Sequence, residues 1–137
     1  MRSLRGVPVV MPNAPYVLVV DDLPDNLFLL QFMLEAEGYQ VETAENGELA
    51  LSKVWEAPPA LIMLDVMMPD LSGCEVTKQI RQNPALPPIP IVLVTAQRSM
   101  SLTDAIAAGA NDLIYKPIEM DEVLGKVSLF LNGHQEP

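Results

Sequence analysis

Tyr16-Val17-Leu18-Val19-Val20-Asp21-Asp22-Leu23-Pro24 decides the fold. An unbroken apolar run rich in β-branched residues is what a strand buried on both faces requires. The run stops at two carboxylates. Pro24 then suits the first turn of a helix, where a missing N–H costs nothing. The helix predicted from there reaches about Glu37 and stops at Gly38, a residue free to take the left-handed cap conformation.

The same unit recurs along the chain. Tyr39 to Ala44 reads as a second strand and Gly47 to Glu56 as a second helix, closed by Pro58-Pro59. Ala60-Leu-Ile-Met-Leu64 is a third buried strand ending at Asp65, and Leu71 to Gln82 is helical up to Asn83-Pro84. Ile89 to Val94 is a fourth strand ending at Thr95, followed by a helix from Ser99 to Ala108 capped by Gly109. Asn111 to Tyr115 is a short fifth strand ending at Lys116-Pro117, and Glu119 to Leu131 is the last helix. Strand–helix alternation with short connections implies an α/β fold, a parallel sheet with helices on both faces and right-handed crossovers. Five such units in about 120 residues fit a doubly wound, flavodoxin-like five-stranded sheet of order 2-1-3-4-5.

Composition narrows the function classes. The chain has 137 residues, 8 Lys+Arg against 18 Asp+Glu, and a formal net charge of −10. Such a charge disfavours nucleic acid as a direct partner, since phosphate binding needs clustered positive charge. The one cysteine, Cys74, cannot close an internal disulfide, and with the lone His134 it cannot build a zinc site. No apolar run approaches the ~20 residues that span a bilayer, so a cytoplasmic protein without a membrane partner is expected. Residues 1–15, with Arg2, Arg5 and three prolines, read as a flexible leader; 16–132 form one domain and 133–137 a tail. Trp55 reads as a core anchor.

The polar residues fall at strand ends. Asp21 and Asp22 end the first strand, Asp65 the third, Thr95 the fourth and Lys116 the fifth. In a doubly wound sheet all these ends share one edge, and ligands bind there at the switch point between the first and third strands. Taken singly, each has an ordinary reading: a helix start, a turn residue, a buried β-branched residue, a solvated lysine. Together they gather three carboxylates that repel one another unless a cation joins them. A hard divalent ion resolves this, and Mg²⁺ favours one or two carboxylates with phosphate and water. A lysine and a hydroxyl facing that ion complete a pocket for a tetrahedral dianion.

Val-Asp21-Asp22, Leu-Asp65-Val-Met-Met-Pro69-Asp-Leu-Ser-Gly73-Cys-Glu, Val-Thr95-Ala96 and Gly109-Ala-Asn-Asp-Leu-Ile-Tyr-Lys116-Pro117 together resemble the response regulator receiver family of two-component signalling. The likeness runs from about Tyr16 to Leu131 with every motif in family order. It implies that Asp65 accepts a phosphoryl group from a phosphohistidine on a sensor histidine kinase or phosphotransfer protein. It implies that Asp22, Asp65 and the Met67 backbone carbonyl ligate Mg²⁺, with Asp21 acting largely through bound water. Thr95 and Lys116 would contact the phosphoryl oxygens, small Ala96 would leave the pocket open to the donor, and Lys116-Pro117 would be cis. Phosphorylation would change the surface around the fourth and fifth strands and so signal to a downstream protein. The only catalysis implied is of its own phosphorylation and dephosphorylation.

The chain departs from the family pattern in two places. Many receivers carry Tyr or Phe three residues before the lysine, where this chain has Leu113; its aromatic is Tyr115, on the same face by strand alternation. Thr95 is expected still to move on phosphorylation, with Leu113 or Tyr115 repacking weakly. On the first helix, Phe28 and Phe32 fall beside Gln31 and Glu35, opposite Leu30, Met33 and Leu34. An exposed ring pair costs solubility unless a partner covers it, which suits a kinase contact or a homodimer; the alternative is a pair half-buried against its own domain.

An enzyme reading competes. Haloacid-dehalogenase-like phosphohydrolases also use an aspartyl phosphate, Thr, Lys and Mg²⁺, but place a second Asp two residues after the nucleophile, where this chain has Met67. A flavin-binding reading meets an acidic loop where a phosphate needs donors. The last helix has Lys126 as its sole base, which favours output through protein contacts, either as a stand-alone receiver or as part of a longer chain.

Overall fold

The computed structural model describes residues 15–132. The expected leader, apart from Pro15, and the expected tail with His134 lie outside the described residues. Strands β1 (Val17–Val20), β2 (Val41–Ala44), β3 (Leu61–Asp65), β4 (Ile91–Thr95) and β5 (Asp112–Tyr115) alternate with helices α1 (Pro24–Ala36), α2 (Gly47–Glu56), α3 (Gly73–Arg81), α4 (Leu102–Ala107) and α5 (Met120–Asn132). All neighbouring strands pair in parallel, in the order β2-β1-β3-β4-β5. The expected architecture is the observed one.

Strand alternation divides the core in two. Leu18, Val20, Ile62, Leu64, Ile91, Leu93 and Leu113 face Ala50, Leu51 and Val54 of α2, Val76 and Ile80 of α3, and Ala105 of α4. Val17, Val19, Leu61, Met63, Val92, Val94 and Ile114 face Leu30, Met33 and Leu34 of α1 and Val123 and Val127 of α5. β1, β3 and β4 are buried throughout, which is why their sequences run apolar instead of alternating. Burying each such Val, Leu or Ile is worth about 1.5–3 kcal/mol. This double layer holds the strand ends in fixed register.

Several element ends differ from the sequence expectation, each for a local reason. α3 begins at Gly73 instead of Leu71, because Ser72 and Glu75 form a reciprocal capping box. Ser101 and Asp104 do the same for α4, leaving Ser99 and Met100 in the preceding loop. Tyr39 belongs to the closure of α1 and not to β2: its N–H donates to Leu34 O, and Gly38, at φ 93°, donates to Glu35 O. Trp55 is 44% exposed and anchors no core, because its position on α2 falls outside the stripe of Ala50, Leu51 and Val54.

Candidate functional site

Register builds the site. Val20 pairs with Leu64, so Asp21 lies level with Asp65 one residue past the paired segment. Asp65 pairs with Val94, and Thr95 with Tyr115, which puts Lys116 next along the same edge. By alternation Asp21, Asp65 and Lys116 share the face of the sheet covered by α1 and α5. Thr95, Leu113 and Tyr115 belong to the opposite face.

The geometry follows that parity. Lys116 Nζ lies 3.3 Å from Asp21 Oδ2 and 3.3 Å from Asp65 Oδ1. Asp21 and Asp65 are only 2% and 3% exposed, while Asp22 is half-buried. Asp21 is held on both oxygens: Leu23 N–H donates to Oδ1 at 2.9 Å and the Asn26 side-chain amide to Oδ2 at 3.1 Å. Asp21 thereby ties the β1–α1 turn to the first turn of α1, whose N-cap residue, Leu23, supplies no side-chain cap. Asn26 was missed by sequence reasoning; its only signal was an amide in the helix turn that follows the Asp pair.

Electrostatics set the charge state. Burial, then the neighbouring Asp21 and Asp22, push the Asp65 carboxyl up from 3.8 to about 6 against the opposing pull of Lys116. Burial acts to lower the Lys116 pKa, but attraction to Asp65 and Asp21 outweighs it and leaves the ammonium pKa raised. One oxygen from each of Asp21, Asp22 and Asp65 lies within 4.8 Å of the others. This all-oxygen set fits a hard divalent cation such as Mg²⁺ in ligand type and charge.

The remaining expected residues lie around this cluster. Thr95 is buried, and its hydroxyl accepts a hydrogen bond from Gln97 N–H at 3.0 Å. Ala96 and Met67 are exposed. Leu113 is buried, whereas the Tyr115 hydroxyl donates to Met100 O in the β4–α4 loop and its ring stacks under the Arg98 guanidinium, 4.8 Å from the centroid. Lys116-Pro117 is cis. Phe28 and Phe32, 71% and 62% exposed, stack with ring centroids 6.3 Å apart. Gly73 approaches so closely that a Cβ there would collide with the Asp65 backbone carbonyl oxygen. A groove of about 820 Å³ at the opposite edge, by Tyr16, Tyr39 and Phe130, carries no acidic or basic side chain.

A doubly wound sheet with an acidic triad and a lysine at its switch point defines a class of phosphate-handling signalling domains. Residues 17–128 match the response regulator receiver domain family, and the chain belongs to that family. It is 42% identical over 116 residues to the alkaline phosphatase synthesis transcriptional regulatory protein PhoP of Bacillus subtilis, covering 84% of this chain and 48% of that protein. It is 32% identical over 120 residues to protein PilH of Pseudomonas aeruginosa, covering 85% of this chain and 98% of PilH. The chain spans about half the length of the first curated relatives it matches. Among solved structures, response regulator TrrA of Thermotoga maritima, in complex with Mg²⁺-BeF, is 37% identical with a TM-score of 0.77, covering 86% of this chain and all of TrrA. Chemotaxis protein CheY4 of Vibrio cholerae is 31% identical with a TM-score of 0.78, covering 85% and 98%. Among the described residues, no helix is long and apolar enough to cross a membrane.

Proposed function

We propose that this domain accepts a phosphoryl group on Asp65 from a phosphohistidine of a sensor kinase or phosphotransfer protein and signals through the surface around β4 and β5. The single observation that carries this is Asp65 itself: a buried carboxylate at the switch point, between two further carboxylates and 3.3 Å from a lysine. An Asp65 carboxylate oxygen forms the new O–P bond while the donor's N–P bond breaks, and the electron pair leaves on the imidazole nitrogen. Asp22, Asp65 and the Met67 carbonyl would hold Mg²⁺, with Asp21 acting through its water. The ion supplies charge neutralisation for the transferring group.

The chain's own residues do the rest. Asn26 and Leu23 N–H keep Asp21 oriented. Lys116, bridging Asp21 and Asp65, turns one of its three N–H groups to a phosphoryl oxygen. Thr95 exchanges the Gln97 N–H contact for another phosphoryl oxygen, and exposed Ala96 leaves that side open to the donor. Leu113 and Tyr115, on Thr95's face, repack in response. Phe28 and Phe32 on α1 offer the donor protein an apolar contact beside the site. Family membership weighs against a phosphohydrolase, and Met67 cannot serve as that reaction's acid.

Incubation with acetyl phosphate and Mg²⁺ followed by intact mass tests the reading. One phosphoryl adduct is expected for the native chain and none for Asp65→Asn. An adduct that survives the substitution, or steady hydrolysis of phosphate monoesters, refutes it.

A further inference from the structure

We propose that the groove between α2 and α3, floored by Trp55, is a docking surface for an arginine- or lysine-bearing segment of a partner protein. The groove encloses about 730 Å³ and is lined by Leu51 and Trp55 of α2, Leu71 before α3 and Gln79 of α3, with Glu48 and Glu56 on its α2 rim. Spacings of three, four, seven and eight put Glu48, Leu51, Ser52, Trp55 and Glu56 on one helix face. An exposed indole at the centre of such a face is the residue type that most often anchors an interface.

Charge selects the occupant. Among the described residues neither Glu48 nor Glu56 makes an ion pair, whereas Lys53 of the same helix is turned to Glu42 at 3.1 Å. On α3, Arg81 is spent on Gly109 O and Asn111 Oδ1, and Lys78 does not line the groove. The α2 rim therefore presents two carboxylates without an ion-pair partner among the described residues, Glu48 two turns before Trp55 and Glu56 next to it in the chain. A guanidinium or ammonium can stack on the indole and pair with a neighbouring carboxylate, and a segment bearing two such cations reaches both carboxylates. A second copy of this acidic chain would bring four carboxylates together, and an acidic partner would be repelled. Leu71, at one end of the groove, packs so closely on α2 that a Cβ on Gly47 would meet it at 2.9 Å. An occupant therefore touches the loop that follows Asp65.

Trp55 is the only tryptophan, so its emission reports on this groove alone. The full chain is titrated with an amphipathic peptide of leucine and arginine and with its leucine–glutamate counterpart, both fluorescein-labelled, at about 0.15 M ionic strength. A saturable blue shift of Trp55 with the arginine peptide only is expected. By anisotropy, Trp55→Ala and the pair Glu48→Gln/Glu56→Gln should each weaken binding about fivefold or more, while Glu37→Gln/Glu122→Gln, on the other side of the sheet, should change it less than twofold. Equal weakening by the two glutamate pairs would mean diffuse attraction to an acidic protein and would overturn the proposal. So would an unshifted Trp55 spectrum, or self-association that Trp55→Ala abolishes in sedimentation. Circular dichroism confirms that each variant is folded, and phosphorylation of Asp65 by acetyl phosphate is expected to be unchanged in all of them.

Discussion

At the scale of single residues, Asp65 carries a charge the fold resists. Its folded pKa of about 6 exceeds the unfolded value near 3.8, so between those pH values the folded state binds the extra proton. Stability of the metal-free protein should therefore fall as pH rises from about 4 to 6, opposite to the effect of a salt-bridged carboxylate with a depressed pKa. Asp65→Asn removes the ionised form and should raise stability at pH 7 by about 1–3 kcal/mol while flattening that slope. Urea melts across pH check both; a native chain that gains stability over this interval contradicts the assignment. Gly73 makes the reverse case. A methyl group there collides with the backbone of Asp65, not with a flexible side chain, so Gly73→Ala should cost about 2–3 kcal/mol and displace the end of β3. The sequence marked Gly73 only as a turn residue, since nothing local reveals which backbone atom lies above it.

At the scale of elements, α1 and the β4–α4 loop carry the testable consequences. The Phe28–Phe32 stack contributes little to the core, so Phe28→Ser/Phe32→Ser should shift stability by less than about 0.5 kcal/mol. If the pair anchors the phosphodonor, transfer from the cognate phosphohistidine protein should slow about tenfold while acetyl phosphate still reacts at the native rate. Equal loss with both donors would place the effect in the site and not in docking. Tyr115 ties β5 to Met100 O, and Tyr115→Phe should cost about 1 kcal/mol and raise amide exchange across Gln97–Met100 without preventing phosphorylation. The helix starts at Gly73 and Leu102 were legible in Ser-x-x-Glu and Ser-x-x-Asp spacing, although apolar periodicity alone placed them two or three residues early. The exposure of Trp55 was legible only in part: its spacing sets it off the stripe of Ala50, Leu51 and Val54, but whether another element packs over it is decided by tertiary contacts.

At the scale of the whole molecule, the acidic edge couples metal binding to folding. Three carboxylates converge only in the folded chain, so Mg²⁺ held at the proposed site would favour that state and should stabilise it. At about 100 times its dissociation constant a ligand adds ~2.7 kcal/mol, which for a domain of this size is a rise of roughly 10 °C in Tm. Calorimetry with and without Mg²⁺ measures this, and Asp22→Ala should abolish most of it. The sequence by itself determined the alternation of buried strands and capped helices, the strand order and which acids, hydroxyl and lysine end the strands. The elements and their ends follow from local periodicity, turn chemistry and chain direction, and the strand order from the doubly wound fold that five such units adopt. Only the tertiary structure decided that Lys116 bridges Asp21 and Asp65 while Thr95 turns to Gln97, that Asn26 steadies Asp21, and that Trp55 opens a groove. Such facts depend on strand register and on which surfaces remain uncovered once helices pack, and both are set by contacts between residues far apart in the chain.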